Sequence, residues 1–307
     1  LTFTESGARA MRERLHTYIG SAAYRVPIHT FHSFAGMLIA EYPESYTRIV
    51  GGRPASDIEK IEIFETILDD PKLTVVRPTG SPYANLRRIT DAIESMKKEY
   101  IAPDDPARII RTEEEKLAET PKFHESGAHK GKVRGEYSKK EKSIEKNKEL
   151  LSVYRSYESL LIERGLFDYE DMIVQTVHAL REDADMLRDL QETYQYLLAD
   201  EHQDVNASQN RILELLAAYH ENPNIFVVGD EKQAIYRFQG ASLENFLYFK
   251  DVFPGTTTIT LTTSYRSGQL ILDASQSLIE VDAGPAQELR VPLTTGTDIE
   301  AEIKRRD

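Results

Sequence analysis

An α/β fold, a parallel sheet interrupted by a mainly helical insertion, is what this sequence predicts, and three observations carry it. Short apolar runs, "YQYLLAD" (194–200), "NIFVVGD" (224–230) and "TTTITLT" (256–262), have the length and composition of buried strands. Amphipathic segments, "NASQNRILELLAAYH" among them, lie between these runs, which is the alternation of parallel α/β proteins. From Pro54 to about Leu161, strand signals thin out and helical periods with many charges take over.

The elements follow in order. "LTFT" reads as the end of a buried strand, and "ESGARAMRERLHTYI" as a helix with Ala8, Met11, Leu15 and Tyr18 on one face. "VPIHTFHSFAGMLIAEY" predicts a short strand through Ile28, then a helix with Phe34, Met37 and Leu38 inward. Within the insertion, Lys122 to Lys148 is poor in apolar residues and locally basic. It reads as a solvated loop, with contact to a nucleic-acid backbone as the alternative. "NKELLSVYRSYESLLIERG" is an amphipathic helix with Leu150, Leu151, Tyr154, Tyr157 and Leu161 on one side, and Gly165 suits its stop. After "LFDYEDMI" the α/β alternation returns, and "GQLILDASQSLI" is the last helix.

Composition narrows the function classes. A chain of 307 residues with 40% hydrophobic and 29% charged side chains is globular and has room for more than one domain. No apolar run approaches the roughly 18 residues of a membrane span, and no signal-peptide pattern opens the chain. The chain contains no cysteine, so disulfides and thiolate metal sites are excluded; a reducing, cytoplasmic setting fits this. The net charge of −13 argues against a basic nucleic-acid coat but leaves room for a local cationic groove. Because Leu1 opens inside a strand-like stretch without an initiator Met, residues in front of it are expected.

Two predicted strands end in acid, at Asp200 and Asp230. Ligands of open parallel sheets bind beyond the carboxyl ends of the strands, so both residues would face one site. A strand-end Asp suits Mg²⁺, and a Glu directly after it can take a proton from an attacking water. Alternatively, Asp200 caps a helix beginning near Val205. Taken alone, "ADE" reads either way.

The neighbouring segments separate the readings. "DEHQD" (200–204), "VVGDEKQAIYRFQGA" (227–241) and "TTSYRS" (262–267) resemble, in order and spacing, three consecutive motifs of the UvrD/Rep family of superfamily-one DNA helicases. "LTFTESGARAMRERL" and "IHTFHSF" are similar to two earlier DNA-contacting motifs, and "FDYEDMI" to the acidic-aromatic segment before the acidic strand. The resemblance implies a RecA-like parallel sheet with a helical insertion, followed by the start of a second RecA-like domain. It also implies an ATP- and Mg²⁺-dependent motor on single-stranded DNA and single-strand/duplex junctions, with the family's usual 3′ to 5′ direction and protein partners in repair or recombination. In that frame Asp200 organises Mg²⁺, Glu201 is the general base, and Gln233 senses the γ-phosphate. Arg266 acts as an arginine finger, and Tyr265 stacks on adenine. Thr4, Thr30, His32 and Ser33 lie along the DNA, where Tyr236 and Phe238 add aromatic surface. Structural roles stand beside these: Phe31, Phe34 and Tyr236 as core aromatics, His32 as a helix-start cap, Arg266 as a surface charge. Tyr169, Glu170 and Asp171 are expected to cap a helix.

The pattern also departs from the family. No G-x-x-x-x-G-K-[ST] loop occurs in these residues, so no Lys and no cradle of backbone N–H groups is present for the β- and γ-phosphates. Gln239 stands where the family carries an Arg after the aromatic, which weakens the expected link between the nucleotide and DNA sites. The expected organisation is a first motor segment (1–53), a helical insertion (54–164), a second motor segment (165–255) and the start of another domain (256–307). This chain by itself is expected to lack ATPase activity. A non-catalytic DNA-binding scaffold derived from a motor, and the ATPase part of a helicase–nuclease, are the alternative readings.

Overall fold

The computed structural model describes residues 1–77, 80–81, 83–102, 105–124, 130–220, 222–230, 243–280 and 294–296. Helices dominate. Helices α1 (Glu5–Ile19) and α2 (Phe31–Glu41) lead to strand β1 (Arg53–Pro54), then α3 (Asp57–Leu68), α4 (Leu86–Lys98), α5 (Asp105–Ala118) and α6 (Gly135–Glu163). Strand β2 (Leu166–Phe167), α7 (Tyr169–Glu182), α8 (Ala184–Thr193), β3 (Leu197–Ala199), α9 (Ala207–Ala217) and β4 (Ile225–Val227) follow. The last described elements are α10 (Leu243–Val252), β5 (Thr263–Ser264), α11 (Gln269–Glu280) and β6 (Thr294–Thr295).

Local sequence explains the helix starts. Thr30 with Ser33, Ser56 with Glu59, Asp168 with Asp171, and Asn206 with Gln209 each form a reciprocal capping box. Each box satisfies N–H groups that would otherwise lack partners at the helix start.

Two cores result. In the first, Phe31, Phe34 and Leu38 of α2 meet Ile173 and Val177 of α7 and Ile212 and Leu213 of α9. The second packs Ile63, Phe64 and Leu68 of α3 with Ile89 and Ile93 of α4 and with Val153, Tyr157 and Leu161 of α6. The chain enters and leaves the second core at one place, where β1 pairs in parallel with β2, Arg53 with Leu166 and Pro54 with Phe167. The crossing is tight: a Cβ on Gly52 would lie 2.9 Å from the Gly165 carbonyl, and Gly165 itself has φ +64° as it ends α6.

Strands β3 and β4 pair in parallel, Leu197 with Ile225 and Ala199 with Val227. The backbone continues this pairing toward the start of the chain. Leu1 donates to the Leu198 carbonyl (2.6 Å) and accepts from the Asp200 N–H (2.9 Å), while the Thr2 N–H reaches the His29 carbonyl at 3.0 Å. Thr2 and Thr30 form a parallel bridge. Four extended stretches therefore lie side by side in the order 29–30, 1–2, β3 and β4.

Several expectations need correcting. The run 256–262 is neither strand nor buried; Ile259 is 75% and Leu261 77% exposed. A strand needs a ladder partner, and among the described residues only Thr263–Ser264 of this region find one, in β6. The runs at 194–200 and 224–230 are strands for three residues each and are buried on one face only, with Leu198 (59%) and Phe226 (56%) exposed. Helix α6 starts at Gly135, twelve residues before the expected "NKELL" start at Asn147. Its Lys/Glu-rich first turns are good helix formers, and Glu136 pairs with Lys140 one turn on.

A single buried ammonium joins the two cores. Lys97 at the end of α4 lies 2.6 Å from carboxylate oxygens of Glu158 (α6), Asp168 and Asp171 (α7). Burial works to lower its pKa, but the three carboxylates outweigh burial and hold it charged well above the ordinary lysine value. Asp168 is held below its usual value because Lys97 overcomes its burial, whereas burial pushes Asp171 and Glu158 up. Arg48 supports the cluster by bonding the Leu166 carbonyl (2.8 Å) with its Nη2 3.7 Å from Asp171. In the second core, Glu149 receives the N–H groups of Thr74, Val75 and Val76 at 2.8 Å each. Burial opposes its charge, yet these donors leave its pKa lowered.

Two predictions follow from the junction between the cores. Lys97→Ala strands the buried Asp168 and Asp171 and the half-buried Glu158, so it should cost about 3–5 kcal/mol of stability at neutral pH in urea unfolding, less in acid where those groups take up protons. Glu170, half-buried beside Lys98, is pushed up to about 7 chiefly by its desolvation, against an ordinary 4.5. The native state then binds more protons than the unfolded chain between those two values, so stability falls as pH rises through this window and levels off above it. Glu170→Gln removes this loss, and its advantage over wild type should be larger at pH 8 than at pH 5 by roughly 1–3 kcal/mol in the same assay.

Candidate functional site

The carboxyl ends of β3 and β4 lie at one end of the sheet and carry Asp200 and Asp230. Asp200 is half-buried, and among the described residues no hydrogen bond or ion pair engages its carboxylate. The helix-cap alternative is answered by Asn206, which caps α9 with Gln209, so Asp200 is not needed for that role. Glu201 adopts φ 52°, ψ 42°, the left-handed region, which costs a non-glycine residue on the order of 1 kcal/mol or more. This turn points Glu201 to the exposed side while His202 and Gln203 are buried.

Buried neighbours hold the turn. The His202 N–H bonds the Val228 carbonyl (2.8 Å), and its Nε2 shares a hydrogen bond with Asn210 Oδ1 (3.0 Å). The ring stands edge-on to Phe249. Burial lowers the His202 pKa to about 4, so the ring is neutral at neutral pH. Gln203 donates from Nε2 to Glu201 Oε2 (2.6 Å) and accepts at Oε1 from the Asp230 N–H (2.9 Å).

Of the residues expected along DNA, Thr4, Thr30, His32 and Ser33 lie at the starts of α1 and α2. Thr4 caps α1, its hydroxyl accepting from the Gly7 N–H at 3.0 Å. Thr30 caps α2 and is buried, with its hydroxyl donating to Glu5 Oε1 at 2.8 Å. Ser33 completes that cap, so His32 is not the helix-start cap. Instead, the His32 ring stacks on Tyr169, with centroids 4.0 Å apart and planes 17° from parallel. Burial lowers the His32 pKa to about 4, and among the described residues no group hydrogen-bonds its Nε2.

Tyr169, expected to help cap a helix, stands at the start of α7 but is not the capping residue. Asp168 is the cap and Asp171 closes the box, which leaves Tyr169 at the first helical position, 57% exposed and stacked on His32. The available signal was the D-x-x-D spacing, which assigns the capping to the two aspartates and leaves the aromatic free. Phe31 and Phe34 are core, as their alternative role had it. Beside Tyr169 a cleft of about 170 Å³ opens between Lys60, Phe64, Ile93, Glu94 and Glu170.

Of the remaining expected residues, Tyr265 and Arg266 are not brought to Asp200 and Glu201. Tyr265 is largely exposed, Arg266 is exposed, and among the described residues no hydrogen bond or ion pair joins Arg266 to either acid. Gln233, Tyr236, Phe238 and Gln239 lie outside the described residues. One acidic cluster, Glu158, Asp168 and Asp171, has metal-ligand spacing, but Lys97 already occupies its centre. Along the open face of β3 and β4 runs an apolar groove of about 620 Å³, walled by Met11, Leu15 and Tyr18 of α1 and by Leu198 and Phe226. Among the described residues no helix is long and apolar enough to cross a membrane.

Known proteins resemble this chain over most of its length. A probable DNA helicase of Mycoplasma pneumoniae is 29% identical over 305 residues, 98% of this chain and 50% of that protein. The ATP-dependent DNA helicase PcrA of Bacillus subtilis is 28% identical over 91% of this chain and 32% of its own length. PcrA of Staphylococcus aureus is 27% identical over 91% of this chain and 33% of its own. The chain thus spans half or less of the length of these relatives. The family model of the UvrD/REP helicase N-terminal domain matches residues 1–254, and the chain belongs to that family.

Proposed function

We propose that this chain forms part of an ATP-dependent DNA helicase that couples Mg-ATP hydrolysis to movement along single-stranded DNA, in the 3′ to 5′ direction. The observation that carries the reading is the turn at the end of β3. There a strained left-handed backbone presents Glu201 outward, directly after an unpaired strand-end Asp200. The turn is written into a parallel sheet, at the end where such sheets bind ligands.

Asp200 fits a Mg²⁺ ion. Mg²⁺ takes one or two carboxylates and keeps several of its waters, and Asp200 is a hard oxygen donor whose carboxylate no hydrogen bond engages among the described residues. A bound Mg²⁺ would neutralise charge developing on phosphate oxygens. Glu201, exposed and anchored through one oxygen by Gln203, is placed to accept the proton of an attacking water. Neutral His202 beneath it adds no competing charge.

The DNA track would run over the starts of α1, α2 and α7. Tyr169 backed by His32 offers it a base-stacking face. The roles of Gln233, Tyr236, Phe238, Tyr265 and Arg266 remain as the resemblance implies them. So do the RecA-like character of the sheet and the four-segment organisation, to which the β1–β2 crossing lends support.

Two measurements test this function in the protein extended to the length of its relatives. Single-strand-stimulated ATP hydrolysis should fall by about 10²–10⁴ in kcat for Glu201→Gln; equal turnover would show that Glu201 is not the base. The 307-residue chain alone, with no phosphate loop in its sequence, should turn over ATP negligibly. Tyr169→Ala should weaken single-stranded DNA binding by roughly 1–3 kcal/mol with little dependence on base sequence, read by fluorescence anisotropy. Unchanged affinity would remove Tyr169 from the track.

A further inference from the structure

We propose that Gln203 is a positioning residue that ties the Glu201 carboxylate to the backbone leaving β4, so that the two strand ends act as one piece. The proposal rests on the reading of Glu201 given above and adds the device that holds it.

The geometry is specific. Gln203 is 1% exposed, yet its amide uses both ends, donating to Glu201 Oε2 at 2.6 Å and accepting from the Asp230 N–H at 2.9 Å. A carboxylate in place of the amide would have no N–H for Glu201, and an apolar side chain would satisfy neither partner. The opposite wall is shaped to match. A Cβ on Gly229 would lie 2.8 Å from Gln203 Oε1 and 3.1 Å from its backbone N, so a side chain there would push this amide aside. Without the amide, Glu201 keeps an exposed, rotatable side chain on a strained turn, and a misplaced base loses rate before it loses binding. The segment beyond Asp230 leads directly to Gln233, the residue to which the resemblance gives the γ-phosphate. Displacement of that segment would therefore reach Glu201 through one side chain.

The test compares Gln203→Met, Gly229→Ala and Glu201→Gln in the protein extended to the length of its relatives. Gln203→Met keeps the volume and removes both hydrogen bonds. Gly229→Ala leaves Gln203 intact but pushes its Oε1 aside, so it carries the test if the Met variant folds poorly. The expected result is a fall in kcat of ten-fold or more for both, with KM for ATP within two-fold of wild type and faster amide exchange at Asp230. A lower melting temperature with kcat per folded molecule unchanged would mark a merely structural role and overturn the proposal. So would normal kcat in both variants while Glu201→Gln is inactive, an outcome that leaves the Glu201 reading standing. Full turnover by Glu201→Gln would remove that reading first, and this proposal with it.

Discussion

The Lys97 ammonium is the interaction on which the rest of this structure depends. It comes from α4, and its three carboxylate partners come from α6 and α7, so it is shared by both cores. One cation among three acids is not a balanced set, and burial makes the imbalance expensive. The structure distributes it: Asp168 keeps its charge, while Asp171 and Glu158 are pushed toward protonation, and Arg48 approaches from the α2 side. The same two aspartates form the capping box of α7. The ion cluster thereby fixes the start of the helix that displays Tyr169, and a stability element and a surface aromatic share one origin.

Much of this was legible in the residues. Helical periods located α1, α2, α9 and α11, and the loss of strand signals after Pro54 marked the helices that pack into the second core. The stop at Gly165 followed from the preference of helix ends for a left-handed glycine. What stayed hidden depended on distant partners. Nothing local tells that most of "TTTITLT" finds no ladder partner among the described residues, since strand character is realised only in a ladder. Lys97 reads as an ordinary basic residue in a helix's last turn until α6 and α7 close around it. At the candidate site, Asp200 and Glu201 were visible through their order relative to the later motifs. The amide bridge of Gln203 was not, because it joins residues 201 and 230 through a buried side chain.

The turn from Asp200 to Asp204 shows how a local conformational cost is carried by its surroundings. Glu201 would escape its left-handed backbone if the turn could relax. It is held by the backbone bond from His202 to Val228, by the His202–Asn210 contact and by the capping box that starts α9. Each of these partners lies in an element with its own reason to be where it is. His202 must also stay neutral to fit, which is why its burial against Phe249 and its lowered pKa belong to the same design.

The two surfaces of interest are joined by ordinary packing. Helix α9 begins just after the Glu201 turn, and α7 begins at Tyr169; Ile212 and Leu213 of one share a core with Ile173 and Val177 of the other. Close-packed interiors resist continuous deformation, so a shift of α9 has to be met by a shift of α7 or by a loss of contact. Helix α7 cannot move freely either, since its first turn is pinned by Lys97 to α4. Movement at the end of β3 is therefore resisted at the His32–Tyr169 stack, and movement there is resisted at Glu201. The physical basis for mutual influence between the two places is this shared core, pinned at one end by a buried ion cluster and at the other by a strained turn.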